Sequence, residues 1–241
     1  MFRSTKMPLL LAGMLGLASV VSAAPILGQV DSFEDGLTAG WSVGAGEPVG
    51  AQHPAPPQNV ATGGPAGAGD NYLQLTALGA TGPGSRLSAF NMDQWAGDYL
   101  SAGITALSMD VRNFGPQDVV LRLLLAGPFG PMGPQNAVAT SDSISLAAGG
   151  GWVRATFSLR PEDLVGLLGT AHGALSQAGE LRLFHNPAAL FLGPGGQSSP
   201  AVAAVVGIDN VTAVPEPAAL LLLGLAVTLG EAWRQRRPTR P

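Results

Sequence analysis

Several stretches of the chain alternate apolar and polar residues with a period of two. Leu107, Met109 and Val111 fall on one face of Leu107–Arg112, and Ser108, Asp110 and Arg112 on the other. In Trp152–Arg160, Val153, Ala155, Phe157 and Leu159 alternate with Arg154, Thr156, Ser158 and Arg160. Tyr72–Ala77 places Leu73, Leu75 and Ala77 opposite Tyr72, Gln74 and Thr76. Such alternation predicts strands with one face buried. Val119–Leu125 and Val205–Val211 are apolar almost throughout and read as central strands, and Leu181–His185 is a further candidate. The one soluble helix predicted is short, Pro161–Leu164, with proline and acids in its first turn. Glycine and proline punctuate the rest. Residues 44–69, 127–134 and 193–200 read as loops, with Phe129 and Met132 folded back on the body of the domain. About eight or nine short strands joined this way predict an all-β fold, an antiparallel β-sandwich of jelly-roll type.

Two segments break this pattern. Arg3 and Lys6 precede the apolar run from Pro8 to Val21, and small residues follow at Ser22, Ala23 and Ala24. A basic n-region, an apolar h-region and a small-residue site predict a signal peptide over 1–23, cut after Ala23. Near the other end, Pro215-Glu216-Pro217 leads into an apolar run over 218–230, then Trp233, Arg234, Arg236 and Arg237. Thirteen residues make a helix of about 20 Å, short of the ~30 Å hydrocarbon core, so a transmembrane helix here spans only with local thinning. The arginines should stay on the cytoplasmic side. Residues 24–213 are then an extracytoplasmic domain, and 214–241 a C-terminal signal.

That C-terminal arrangement resembles the bacterial PEP-CTERM sorting signal. The resemblance covers about residues 214–237, with Pro215, Glu216 and Pro217 in the motif positions and Arg234, Arg236 and Arg237 in the basic tail. It implies recognition and removal of the tail by an exosortase, a multi-pass membrane peptidase, after signal peptidase has acted. It also implies a cell that makes exopolysaccharide, and a mature protein released or attached outside. Two prolines hold the segment extended, as a protease cleft requires.

Composition narrows the remaining chemistry. The chain has 241 residues and no cysteine, which excludes disulfides, a thiol nucleophile and cysteine-ligated zinc. Residues 24–214 contain six arginines, no lysine and fourteen acids, a net charge of −8, so nucleic acid is not an expected partner. His53, His172 and His185 lack metal-pair spacing, and Gly-x-Ser-x-Gly is absent. No enzyme is expected, and no cofactor is certain.

Two weaker sites remain. Asp31, Glu34 and Asp35 open the domain and Asp209 closes it. Pairing of the first and last strands would bring these acids together as hard oxygen ligands for a structural calcium. The two ends also resemble carbohydrate-binding-module-like jelly rolls, a likeness that implies the same ion. The alternative is a solvated turn. Trp152, in phase with a polar strand face, and the pair Trp95 and Tyr99 are candidate platforms for stacking on sugar rings; core packing is the competing expectation for each. The sequence thus predicts an exported, non-enzymatic surface or matrix protein associated with exopolysaccharide. A glycan-binding module and a secreted hydrolase are the rivals.

Overall fold

The computed structural model describes residues 24–43, 53–80, 82, 84–189 and 199–215. Among these, the alternating segments form strands as their periodicity dictates. The strands are β1 (Val30–Asp31), β2 (Trp41–Val43), β3 (Gln58–Val60), β4 (Tyr72–Leu78), β5 (Ser88–Asn91), β6 (Ala106–Asn113) and β7 (Val119–Gly130). They continue with β8 (Gly133–Thr140), β9 (Ile144–Leu146), β10 (Val153–Ser158), β11 (Leu164–Leu168), β12 (Glu180–His185) and β13 (Ala203–Val214). One 3-10 turn (Pro161–Asp163) and one helix, α1 (Ala171–Ser176), interrupt them.

Two antiparallel sheets result. The first runs β10-β6-β13-β4-β3, and β1 also pairs with β13; the second runs β11-β8-β7-β12-β5-β2, and β9 also pairs with β7. The predicted meeting of first and last strands is present: Val30 lies opposite Thr212 and Asp31 opposite Val211. Leu73, Leu75, Leu107, Met109, Val111, Phe157, Val206 and Ile208 of the first sheet, with Leu121, Leu123, Leu125, Leu181 and Leu183 of the second, fill the space between. Removing these side chains from water is the main favourable term for a fold of this kind. The apolar density of β7 has a second cause. Its other face contributes Leu124 and Ala126 to a smaller cluster with Ala137, Ala139 and Phe184 on the outer side of the second sheet.

The predicted loop at 127–134 is instead a hairpin. β7 continues through Gly130 and pairs back with β8, Gly127 against Asn136 and Gly130 against Gly133. Gly127 adopts a φ of +153°, and a Cβ there would run into the backbone of Gln177 and Gly179, so only glycine fits. Phe129 folds back only in part, its ring against Gly179 yet 44% exposed, and Met132 at the tip is fully exposed. The predicted helix at Pro161–Leu164 is the 3-10 turn, and Leu164 already belongs to β11. Helix α1 is too short for its apolar spacing, Ala171, Ala174 and Leu175, to stand out in the sequence; it is started by Thr170, whose hydroxyl accepts from Gly173 N at 3.0 Å. Among the described residues no helix is long and apolar enough to cross a membrane. The expected signal peptide (1–23) and the expected transmembrane helix (218–230) lie outside them.

Candidate functional site

Ala23, Glu216, Pro217, Arg234, Arg236 and Arg237 are outside the described residues. Pro215 is inside, half-buried, directly after β13.

The four acids read as calcium ligands do not form a set. Asp31 is turned inward and its carboxylate is committed. Trp95 Nε1 donates to Asp31 Oδ2 at 2.7 Å, Trp41 Nε1 to the same oxygen at 2.9 Å, and Gln94 Nε2 at 3.1 Å. Burial raises its pKa, and the bonds from the two indoles and Gln94 work against that rise. Asp35 accepts from Leu37 N at 2.9 Å in an exposed turn, and Glu34 from Asn71 N at 3.1 Å. Asp209 accepts from Asn210 N at 2.7 Å and from Asn210 Nδ2 at 3.0 Å. Among the described residues no three acidic or histidine side chains are grouped so as to hold a metal ion.

Asp209 has a different consequence. It is only 1% exposed, and its pKa is pushed up to about 7, first by burial and then by the like charges of Asp70, Asp110 and Glu34. A carboxyl raised in the folded state keeps its proton where the unfolded chain has released it. From about pH 4 to about pH 7 this group therefore makes stability fall as pH rises, with no further change above that window. His53 and His185, whose pKa values burial lowers, act in the opposite direction as pH falls through their range. Comparison with Asp209→Asn isolates the carboxyl. The variant should melt a few degrees above wild type at pH 8, and the gap should close by about pH 4.5, in thermal unfolding followed by circular dichroism. A gap independent of pH would contradict the assignment.

The expected Trp95 and Tyr99 platform is corrected. Both side chains are 0% exposed and belong to the core; Tyr99 Oη donates to Trp95 O at 2.8 Å. A sugar ring cannot stack on a ring with no free face. Trp152 fares differently. It is half-buried just before β10, and its Nε1 donates to Gly63 O at 3.0 Å. Its ring meets Tyr72 edge-on at 5.4 Å and Phe114 at 5.9 Å, while Tyr72 and Phe114 stack at 5.5 Å. Arg112 lies over Phe114, 4.3 Å from the ring centroid. Gly207 of β13 makes room for this group: a Cβ there would stand 2.6 Å from Trp152 and 3.0 Å from Tyr72.

The sequence reading missed Tyr72, Phe114 and Arg112 as partners of Trp152. Their phase was visible, with Tyr72 on the polar face of β4 and Arg112 on that of β6. What joins them is cross-strand register, Gly207 lying opposite both Arg112 and Gln74. The outer face of the second sheet carries a further polar group. Arg182 Nε donates to Glu180 Oε1 at 2.5 Å, and the guanidinium carbon of Arg182 lies 5.9 Å from the Phe90 ring centroid. Near them Arg122 is buried and donates to the carbonyls of Thr140, Ser141, Asp142, Asn186 and Pro187, which makes it a clamp between two loops.

Comparison with known proteins agrees with both the tail and the fold. Residues 213–237 match the model of the PEP-CTERM protein-sorting motif. No curated protein matches the chain. Among solved structures, an exo-β-agarase is similar with a TM-score of 0.50 and 15% identity, over 79% of this chain but only 25% of the agarase. A family 11 carbohydrate-binding module from Clostridium thermocellum, solved with a β-1,3-1,4-mixed-linked tetrasaccharide, is similar at TM-score 0.46 and 12% identity, over 78% of this chain and 96% of the module. A CBM28 module specific for non-crystalline cellulose gives 0.46 and 13%, over 80% and 98%. These likenesses concern the β-sandwich alone. The sorting motif marks an exported protein.

Proposed function

We propose that the chain is a non-enzymatic component of the cell surface or extracellular matrix, delivered by an exosortase-type peptidase and working in contact with exopolysaccharide. The observation that carries this reading is the sorting motif over residues 213–237, which begins within β13, before the strand has ended. The domain supplies an acidic body, and a net charge of −8 over residues 24–214 keeps such a body soluble. A non-catalytic role is supported by two of its acids. Asp31 is spent on two indoles, and Asp209 is buried beyond a substrate's reach. The test is the intact mass of protein recovered outside the cell. We expect a chain beginning at Ala24 and lacking Trp233 and the terminal arginines. A mature species that retains that tail would refute delivery by cleavage.

A second reading, glycan binding, is favoured by the aromatic group of Trp152, Tyr72 and Phe114 beside Arg112. Trp152 and Phe114 are half-buried and held edge to face, with buried Tyr72 packed against both, so these two rings are preorganised for stacking on sugar. Trp152→Ala should then reduce retention of the folded protein on exopolysaccharide by about tenfold, the equivalent of one lost contact of ~1.4 kcal/mol. Equal retention of variant and wild type would leave the group a packing device.

A further inference from the structure

We propose that one pole of the sandwich is a lipid-seating surface, in which Ile26, Leu27 and Val30, together with the β7–β8 hairpin tip at Met132, rest in the headgroup layer of the bilayer. The inference builds on the reading that the segment after Pro215 enters a membrane.

The pole is defined by connectivity. Gly28 N donates to Ala213 O at 2.9 Å and Ala213 N to Gln29 O at 3.0 Å, so residues 26–30 stand beside the end of β13. Val214 is still in the ladder opposite Ala106, its carbonyl accepting from Thr105 N, and Pro215 follows at once. The chain from β5 to β6 crosses the same pole, where Gly97 bridges to Ala178 just before β12 begins. β7 passes Ala126, the partner of Glu180 at the start of β12, and continues beyond it into the hairpin. The tether and the hairpin tip therefore leave from one side.

The apolar run begins at Ala218, three residues after Pro215. Extended, three residues reach about 10 Å. A membrane entered by that run is thus close against this pole. Here the side chains are apolar and exposed: Ile26 65%, Leu27 47%, Val30 51%, with Met132 wholly so. They are not on a frayed end. Pro25 is buried and fits against Gly97, Gln29 Nε2 donates to Gln94 O at 3.1 Å, and Ile26 N donates to Gln29 Oε1. Residues 24–30 contain no charged side chain, and the hairpin tip from Gly127 to Gly133 has none. Such apolar segments suit the boundary between headgroups and acyl chains, and the flanking charges, Asp98 beside Gly97 and the amino terminus that cleavage creates at Ala24, belong to the headgroup level. Tethering supplies the effective concentration that so small a patch would lack when free.

The absence of cysteine permits a direct test. Single-cysteine variants Leu27→Cys, Met132→Cys and Leu78→Cys of the full chain, each labelled with an environment-sensitive fluorophore, are reconstituted into phosphatidylcholine vesicles. Leu78 is 49% exposed and lies opposite Ala203, at the other pole. Labels at 27 and 132 should be blue-shifted and several-fold less accessible to aqueous iodide than the label at 78. If the vesicles float with the protein but all three labels quench alike, the seating surface is wrong while the tether stands. If the protein does not float with them, the tether is wrong and the surface falls with it. Shielding that appears only in membranes containing the sorting peptidase would overturn the proposal in favour of a protein contact.

Discussion

Trp95→Ala should cost about 3–5 kcal/mol of folding stability, the range for an aromatic removed from a packed core. The side chain is wholly buried, and one further group, Asp31, depends on it. Asp31 loses its shortest donor, the indole at 2.7 Å, in a site where burial already disfavours its charge. The Tyr99 hydroxyl bonds the backbone oxygen of Trp95 and keeps that bond, so the loss falls on packing and on Asp31. Domains of this kind have ~5–15 kcal/mol in total, so the loss is a large fraction of it. In a domain of this size that corresponds to a melting temperature lower by roughly 10 °C. Trp152→Ala removes a half-exposed ring at the surface and should shift melting much less. Equal shifts for the two variants would mean that Trp95 does not hold the core as described.

Replacing Pro215, Glu216 and Pro217 together by alanine should leave the protein in the inner membrane and abolish its appearance outside the cell. β13 ends at Val214, so the three residues are the whole of the connection between the sheet and the apolar run. Proline keeps the residue before it out of the helical region and interrupts any helix growing back from the run. Alanine, the best helix former, reverses both effects and also removes the one charge in the motif. Fractionation of cells and medium checks this. Release of the variant at the wild-type rate would sink the sorting assignment. Melting of the domain should be unchanged, because the ladder of β13 stops before the substituted positions.

Strand faces were legible because burial on one side imposes a period of two. Leu107, Met109 and Val111, or Ala155 and Phe157, can be assigned from spacing alone. The meeting of β1 and β13 was also foreseen. The β7–β8 hairpin was hidden by its own composition, since Gly-Pro repeats signal loops unless a partner strand pairs with them. For Trp95 and Tyr99 the choice between sugar platform and core packing stayed open in the sequence for a related reason. Their neighbours Gly97 and Asp98 look like surface, whereas Asp31, which draws the indole inward, lies 64 positions away in sequence. Asp209 was read only as a candidate calcium ligand; its raised pKa comes first from burial and then from neighbours on three other segments, Glu34, Asp70 and Asp110.

The place of β13 in the first sheet bears on when the domain can form. This strand lies between β6 and β4, borders β1 as well, and is the last of the described strands to be synthesised. Until residues up to Val214 have crossed the membrane, the sheet has a gap at its centre and β1, β4 and β6 lack their common neighbour. Since the sorting motif follows directly, closure of the sandwich coincides with arrival of the address. A chain that stalls before this point leaves the edges of β4 and β6 unpaired, open to pairing with other chains.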